Sequence, residues 1–194
     1  MPAAKETLVS RDDAVLVIVD IQDKLAAVMA ERDDVVGVTK KLAQVAAMLG
    51  IPIVVTRQYP KGLGGTVPEL DDVLFELAEE GARVSGVDKT AFCCAAEPDF
   101  TDALRATGRR QVILLGMETH ICVTQTALAL AGDGYQVQVA ADGCCSRDRA
   151  NHDTALERLR AAGVVVTVSE SVMYEAVGVA GTPEFKRLLE IVKE

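Results

Sequence analysis

The sequence predicts an α/β fold, in which a doubly wound, mostly parallel six-stranded sheet carries helices on both faces. Short apolar runs alternate with segments of helical period about six times along the chain, which is typical of successive βα units. Hydrophobic residues make up 49% of the 194 residues, but aromatic residues only 4%. Aliphatic side chains must therefore build the core, as strands buried on both faces require.

Periodicity places the individual elements. Continuous or alternating apolar runs predict strands over Ala14–Asp20, Ile51–Thr56, Gln111–Gly116, Tyr135–Ala140 and Val164–Ser169, with a weak candidate at Ala82–Val84. Helical period predicts helices over Asp33–Leu49, Glu69–Glu80, Asp99–Thr107, Thr119–Ala131, Asn151–Ala162 and Pro183–Val192. Long loops are expected over Gln58–Pro68 and Ser85–Pro98. With no linker or repeat, residues 1–194 are expected to form one domain.

Charge and composition exclude several classes of function. The net charge of −9 would repel a phosphate backbone, so we expect no nucleic-acid partner. No apolar run is long enough to span a membrane, and Met1–Asp13 is polar, without the apolar core of a secretory signal. The cysteines are odd in number and mostly adjacent, which fits free thiols in the cytoplasm: Cys93, Cys94, Cys122, Cys144 and Cys145.

The ends of the predicted strands bring together three candidate catalytic residues. Ligands of doubly wound sheets bind beyond the carboxyl ends of the strands. Asp20 ends the first strand, Lys89 follows the weak third one, and Cys122 lies in a strand-to-helix passage after Gln111–Gly116. A thiol, a base and a cation are the groups that acyl transfer requires.

Each candidate has an alternative interpretation. Cys122 near a helix N-terminus is expected to have a stabilised thiolate and to be the most reactive of the five thiols, but it could be a small buried hydrophobe. Asp20 could instead be a helix cap or a structural ion-pair partner. Lys89 could be a solvated surface charge.

Three other motifs give weaker evidence of a catalytic or binding site. A Cys–His dyad with His152 requires that imidazole to point into the pocket from a predicted helix. The glycines of 62–66 lack the Lys-Ser/Thr of a P-loop and the spacing of a dinucleotide fingerprint. The adjacent cysteine pairs lack the CxxC spacing of zinc or redox sites.

These residues resemble the motifs of the isochorismatase-like hydrolases, over almost the whole chain. The cysteine branch of that superfamily has an Asp-x-Gln motif, here Asp20-Ile-Gln22, and a catalytic lysine, here Lys89. Its nucleophile motif, Gly-x-x-Thr-x-x-Cys-Val, is matched by Gly116-Met-Glu-Thr-His-Ile-Cys122-Val. The loop Gln58–Leu70 is similar to that of the isochorismatase domain-containing proteins.

The resemblance implies a Rossmann-type three-layer fold and a mechanism. Cys122 attacks a carbonyl carbon, Asp20 exchanges protons with the thiol and the leaving amine, and Lys89 stabilises the thiolate. The backbone N–H groups of Glu118 and Cys122 form the oxyanion hole, and the Met117–Glu118 peptide is expected to be cis. Four further residues are expected to line the substrate pocket: Gln22, Tyr59, Phe92 and Thr119.

Two departures from the superfamily narrow this function. Nicotinamidases bind a metal through an Asp-x-His…His pattern, but the stretch Arg57–Pro60 contains no histidine, so we expect no metal and no other cofactor. True isochorismatases lack the nucleophilic cysteine, which argues against isochorismate as the substrate. Cys93, Cys144 and Cys145 stand where the resemblance leads us to expect Ser, Thr or other small residues. They either have no effect or make the pocket sensitive to oxidation.

The sequence therefore predicts a cytoplasmic cysteine hydrolase of a small amide-type molecule, and the resemblance implies a homo-oligomer, a dimer or tetramer. One alternative is a regulatory or scaffolding protein that retains the fold with little catalytic activity. Another alternative is a thiol redox protein, which the absence of CxxC disfavours.

Overall fold

A computed structural model describes residues 7–193 of the chain. The expectation that Met1–Asp13 carries no secretory signal concerns residues that lie partly outside this range. Within 7–193, the sheet has six strands, all parallel, in the order β3-β2-β1-β4-β5-β6. The predicted fold class is confirmed. The strands are β1 (Ala14–Val19), β2 (Ile53–Gln58), β3 (Val84–Lys89), β4 (Gln111–Met117), β5 (Gln136–Cys145) and β6 (Val165–Thr167).

Nine α-helices are found among the described residues, and they cover the two faces of the sheet. They are α1 (Asp23–Ala26), α2 (Arg32–Met48), α3 (Pro60–Leu63), α4 (Pro68–Glu79), α5 (Pro98–Ala106), α6 (Thr124–Gly132), α7 (Arg149–Ala161), α8 (Ser169–Val177) and α9 (Pro183–Lys193). A 3₁₀ segment spans Cys94–Ala96, and a π turn spans Thr119–Val123. None of the described helices is long and apolar enough to cross a bilayer.

The core lies on both sides of the central strands. Every residue of β1 and of β4 is buried, as expected for strands covered by helices on both faces. Aliphatic side chains dominate the largest fully buried side chains of residues 7–193, among which Phe100 is the single aromatic one. The core is therefore built mainly from aliphatic side chains, as the low aromatic content of the sequence predicts.

The third strand lies elsewhere than the sequence predicts. The weak candidate Ala82–Val84 is wrong in extent, because β3 runs over six residues that the sequence assigns largely to a loop. Only Val87 and Lys89 of this edge strand are buried, so it lacks the apolar run that marks a strand buried on both faces. This correction moves Lys89 from a loop to the last position of a strand.

Several other boundaries also differ from the sequence-based prediction. The helix α8 was not predicted, and α1 and α3 have only four residues each, too few for a periodic pattern to show. The fifth strand continues beyond Ala140 to Cys145, past an irregularity in its pairing with β4. The predicted helix Thr119–Ala131 begins as a π turn, and the regular helix starts at Thr124.

Candidate active site

Asp20 lies immediately after β1, in the centre of the sheet, and is completely buried. Its φ of 53° lies in the left-handed region, which a residue other than glycine occupies at a cost of about 1–3 kcal/mol. The hydroxyl of Thr56 donates to Asp20 Oδ1 at 2.7 Å, and Asp20 Oδ2 lies 2.6 Å from Lys89 Nζ. The carboxylate is thus held from two sides, which a buried charge requires.

Lys89 ends the edge strand with its side chain directed inward. Its Nζ donates to Gln58 Oε1 at 2.6 Å and lies 3.7 Å from Cys122 Sγ. The carbonyl oxygens of Ala91 and Phe92 are 3.3 and 3.4 Å away. Burial tends to lower the pKa of Lys89, but the neighbouring Asp20 carboxylate and thiols outweigh burial and raise it. The amine therefore remains an ammonium inside the protein.

Cys122 lies in the π turn between β4 and α6, and 5% of the residue is exposed. Such irregular turns occur frequently at functional sites. Burial raises the pKa of the Cys122 thiol, the Asp20 carboxylate raises it further, and Lys89 opposes both. The expectation of a thiolate favoured by a helix N-terminus is therefore wrong. The resting thiol keeps its proton, and a base must remove it during attack.

The opposed effects of Asp20 and Lys89 lead to a first prediction. Asp20→Asn removes the carboxylate that raises the Cys122 pKa and leaves Lys89, which lowers it. We expect Cys122 to be alkylated by iodoacetamide about tenfold faster at pH 7.5, because the thiolate is the reactive species. Peptide mass spectrometry measures the labelling rate.

Cys93 provides an internal control in the same sample. It is partly exposed, and its Sγ lies 3.6 Å from the carbonyl oxygen of Gln125. Its labelling rate should be the same in both proteins. Slower labelling of Cys122 in the variant would show that Asp20 acidifies the thiol, contrary to the arrangement described here.

The turn that carries Cys122 begins with a close approach of two strands. A Cβ on Gly116, whose φ is 127°, would lie 2.0 Å from the carbonyl oxygen of Val19, so only glycine fits there. The peptide bond between Met117 and Glu118, at the end of β4, is cis. The buried Glu118 carboxylate accepts from the backbone N–H and the Nε of Arg147, at 2.9 and 3.1 Å. This ion pair joins the ends of β4 and β5.

The four expected pocket residues divide into two pairs. The rings of Tyr59 and Phe92 are 55% and 56% exposed, on the loops after β2 and β3. Gln22 and Thr119 are completely buried. Gln22 donates to the carbonyl oxygens of Gln58 and Gly64 and accepts from the Gln58 N–H, so it holds the loop between them. The structure thus places the side chains of Gln22 and Thr119 beneath the protein surface, where solvent does not reach them.

Other predicted motifs lie apart from this cluster. The Nδ1 of His152 lies 2.8 Å from Thr119 Oγ1, so this imidazole is engaged away from the thiol and forms no dyad with it. Cys144 and Cys145 are buried in β5, where burial raises the pKa of each thiol to about 12. This protonation disfavours oxidation of the two thiols.

Three residues beside Asp20, Lys89 and Cys122 received no role in the sequence analysis. Thr56 and Gln58 hold Asp20 and Lys89 from alternate positions at the end of β2; polar residues at this period beside a buried strand end are the signal that identifies them. Cys94 is fully buried, with its Sγ 3.8 Å from Thr56 Oγ1, and no sequence signal distinguishes it. Over residues 7–193, no group of three or more His, Cys, Asp or Glu side chains is arranged to hold a metal ion.

The arrangement defines a class of site. A buried thiol lies against a carboxylate–ammonium pair at the carboxyl edge of a parallel sheet, where the carboxylate can accept the thiol proton and the ammonium can stabilise the resulting thiolate. A nucleophilic cysteine would require these groups, and here they lie on a doubly wound α/β fold.

Comparison with known proteins identifies the family. The family model of the isochorismatase domain matches residues 14–171. Isochorismatase domain-containing protein 1 of Danio rerio is 40% identical over 175 residues, which cover 90% of this chain and 59% of that protein. Isochorismatase domain-containing protein 2A of Mus musculus is 36% identical over 197 residues, covering 100% and 90%. The structure of MAR1 ribonuclease from Caenorhabditis elegans superposes with a TM-score of 0.85, at 32% identity over 96% of this chain and 93% of that one.

The chain belongs to the isochorismatase family. The resemblance noted in its motifs is thereby confirmed. The chain spans just over half the length of the zebrafish relative, but nearly all of the mouse relative.

Proposed function

We propose that this protein is a cysteine-dependent hydrolase that cleaves the C–N bond of a small amide through a thioester intermediate. One observation carries the proposal: Lys89 Nζ lies 2.6 Å from Asp20 Oδ2 and 3.7 Å from Cys122 Sγ, all three being buried. A purely structural ion pair has no need of a thiol beside its ammonium. The cluster therefore supports a Cys-Asp-Lys triad.

In the first half-reaction, Asp20 takes the thiol proton as Cys122 Sγ attacks the carbonyl carbon. Because the thiol pKa is raised, the proton leaves with the attack rather than before it. The oxyanion of the tetrahedral intermediate accepts from the backbone N–H groups of Glu118 and Cys122. Asp20 then protonates the amine, the C–N bond breaks, and a thioester remains on Cys122.

In the second half-reaction, water replaces the amine. Asp20 removes a proton from water, whose oxygen attacks the thioester carbonyl. The C–S bond then breaks, releasing a carboxylic acid and restoring the thiol with the proton held by Asp20. The ammonium of Lys89 stabilises the sulfur anion in both halves, and no redox or metal step is required.

The burial of the triad supports a small substrate. Cys122 is 5% exposed, and the exposed rings of Tyr59 and Phe92 lie on the loops at the same sheet edge. Aromatic side chains at this edge suit a compact, partly apolar amide. Although three structural relatives are named MAR1 ribonucleases, two of them as putative, a chain with a net charge of −9 is poorly suited to a phosphate backbone.

The experiment that tests the proposal is capture of the acyl-enzyme from a panel of small aliphatic and aromatic amides and an RNA oligonucleotide. After acid quenching, intact-mass analysis should show an acyl adduct with one of the amides, and peptide mapping should place it on Cys122. Cys93→Ala should still form the adduct. Adducts confined to another cysteine, or RNA cleavage without any adduct, would reject the proposal.

A scaffold or regulatory protein is the alternative reading, and the intact triad argues against it. A buried pair such as Asp20–Lys89 contributes little to net stability. In a protein without catalytic activity, substitution of either residue by an apolar one would therefore be expected. In the same panel, a scaffold would give no adduct and no turnover with any amide.

We also propose that the protein is a homo-oligomer. Three exposed aromatic rings lie towards the open β3 edge of the sheet: Tyr59, Phe75 and Phe92. Exposed apolar groups of this size are typical of subunit contacts. Multi-angle light scattering at micromolar concentration should give at least twice the chain mass of 20.6 kDa. A particle of one chain mass would contradict this prediction.

A further inference from the structure

His152 is a buried imidazole that the proposed mechanism does not use. It lies on α7 with 4% of the residue exposed, and its Nδ1 is 2.8 Å from Thr119 Oγ1. Thr119 is completely buried and opens the π turn that carries Cys122 three residues later. The hydrogen bond therefore joins a helix of one layer to the turn that carries the nucleophile.

Other hydrogen bonds also hold the π turn, and one of them reaches outside it: His120 Nδ1 lies 2.9 Å from Ser146 Oγ, just after β5. The hydroxyl of Thr124 donates to the carbonyl oxygen of Thr119 at 2.6 Å. The N–H groups of Ile121 and Val123 donate to the carbonyl oxygen of Glu118. The bonds to the Thr119 and Glu118 carbonyl oxygens lie within the turn or at its junction with α6, whereas His152 holds the side chain of Thr119 from α7. The imidazole thus ties the first residue of the turn to a helix.

We propose that His152 is a positioning residue for Cys122, acting through Thr119 as the acceptor of its hydroxyl hydrogen bond. The Thr119 Oγ1–H donates to the unprotonated Nδ1, and the π turn is held so that the thiol stays beside the Asp20–Lys89 pair. The inference goes beyond the proposed hydrolysis, but its consequence for turnover rests on that function.

The surroundings of His152 keep it neutral. Burial lowers its pKa and Arg149 lowers it further, while Asp153 and Glu31 oppose them. On its outer side, the imidazole lines a groove of about 1070 Å³ between α2 and α7. The charged and titratable groups that share this groove are Glu31, Asp33, Asp34, Lys41, Asp142, Cys144, Arg149, Asp153, Glu157 and Arg160.

Protonation would reverse the hydrogen bond, since Nδ1–H would have to donate to Thr119 Oγ1. Because the folded pKa lies below the ordinary value of 6.5, the native state binds fewer protons than the unfolded chain in the interval between the two values. The contribution to stability is therefore complete above pH 6.5 and is lost as the pH falls through the folded pKa. The imidazole is thus neutral at neutral pH, the state in which Nδ1 is able to accept from Thr119 Oγ1.

The test measures the thiol itself, so it does not depend on finding a substrate. The pH profile of Cys122 alkylation is recorded for His152→Leu and Thr119→Val, which remove the hydrogen bond, and for His152→Asn and Thr119→Ser, which keep a bonding group. The raised pKa of Cys122 depends on its burial beside Asp20. Release of the turn should therefore shift the midpoint of the profile at least one pH unit towards that of an ordinary cysteine in the Leu and Val variants only.

Turnover of an amide identified by the acyl-enzyme panel is the second readout. We expect kcat to fall about 10–100-fold in His152→Leu with KM little changed, because a displacement near 1 Å at the nucleophile has effects of this size. If His152→Leu does not fold, as judged by circular dichroism, Thr119→Val carries the test, since its side chain is isosteric.

Each outcome decides between supporting and rejecting the inference. A shifted midpoint in the Leu or Val variant, with the Asn and Ser variants close to the wild-type protein, supports a positioning role. An unchanged midpoint in folded His152→Leu and Thr119→Val overturns it. If the midpoint shifts but no amide is ever hydrolysed, the proposed function fails while the role of His152 towards the thiol stands.

Discussion

Replacement of Cys122 by alanine is expected to lower kcat by about 10⁴-fold or more, since no other group beside the Asp20–Lys89 pair supplies the attacking atom. Cys94 lies nearby, but it is fully buried, and burial raises the pKa of its thiol to about 11. It is therefore a poor substitute for the nucleophile. Initial rates with an amide from the acyl-enzyme panel, measured over the pH range 6–9, test this expectation.

The matched control for this experiment is Cys93→Ala. Cys93 is the neighbour of Cys94 in sequence and is partly exposed, so its loss should change kcat by less than about twofold. Turnover in Cys122→Ala within tenfold of the wild-type rate would reject the covalent mechanism. Equal losses in both variants would indicate a general effect on folding, which circular dichroism would reveal.

The second large effect on turnover is expected from substitution of Asp20 and Lys89, which we expect to act on the same catalytic step. Asp20→Asn removes the group that transfers the proton and should lower kcat by about 10²–10⁴-fold. Lys89→Met keeps the alkyl stem but removes the charge that lowers the Cys122 pKa, so it should slow the same step. Residues that act on one step give strongly non-additive losses, and the double variant should be little worse than either single one.

A double-mutant cycle on kcat measures this coupling. Independent losses that multiply in the double variant would show that Asp20 and Lys89 serve different steps, and the triad would have to be abandoned. The alkylation experiment on Asp20→Asn separates acidity from catalysis, because that variant should label faster but turn over more slowly. Parallel changes in labelling and turnover would point to altered access instead.

Removing one member of this pair should also lower the stability of the folded protein, although the intact pair contributes little to it. Lys89→Met leaves the completely buried Asp20 carboxylate without its counter-ion, which typically costs about 3–5 kcal/mol. A matched control lies at the same sheet edge: the Arg57–Asp88 pair has the same 2.6 Å separation as Asp20–Lys89, but is exposed to solvent. Arg57→Met should cost less than about 1 kcal/mol. Urea denaturation gives both values, and equal losses would contradict a special role for burial.

Much of the fold follows from local patterns in the chain. The strands β1, β2 and β4 were predicted because each is a continuous aliphatic run, which only a sheet covered on both faces accommodates. Asp20 and Cys122 were found because chemistry in such folds gathers at the carboxyl ends of strands. The amino-acid sequence thus determined the class of fold, the edge of the sheet that matters and the candidate nucleophile.

Other features were decided by the tertiary structure, because they depend on neighbours distant in sequence. The strand β3 is stabilised by pairing with β2 rather than by its own apolar content, so no local pattern reveals it. The protonation of Cys122 results from burial beside Asp20, 102 positions away in the numbering, and this outweighs the local preference for a thiolate near a helix N-terminus. Long-range burial and charge, which no sequence window contains, determine the acidity of the site.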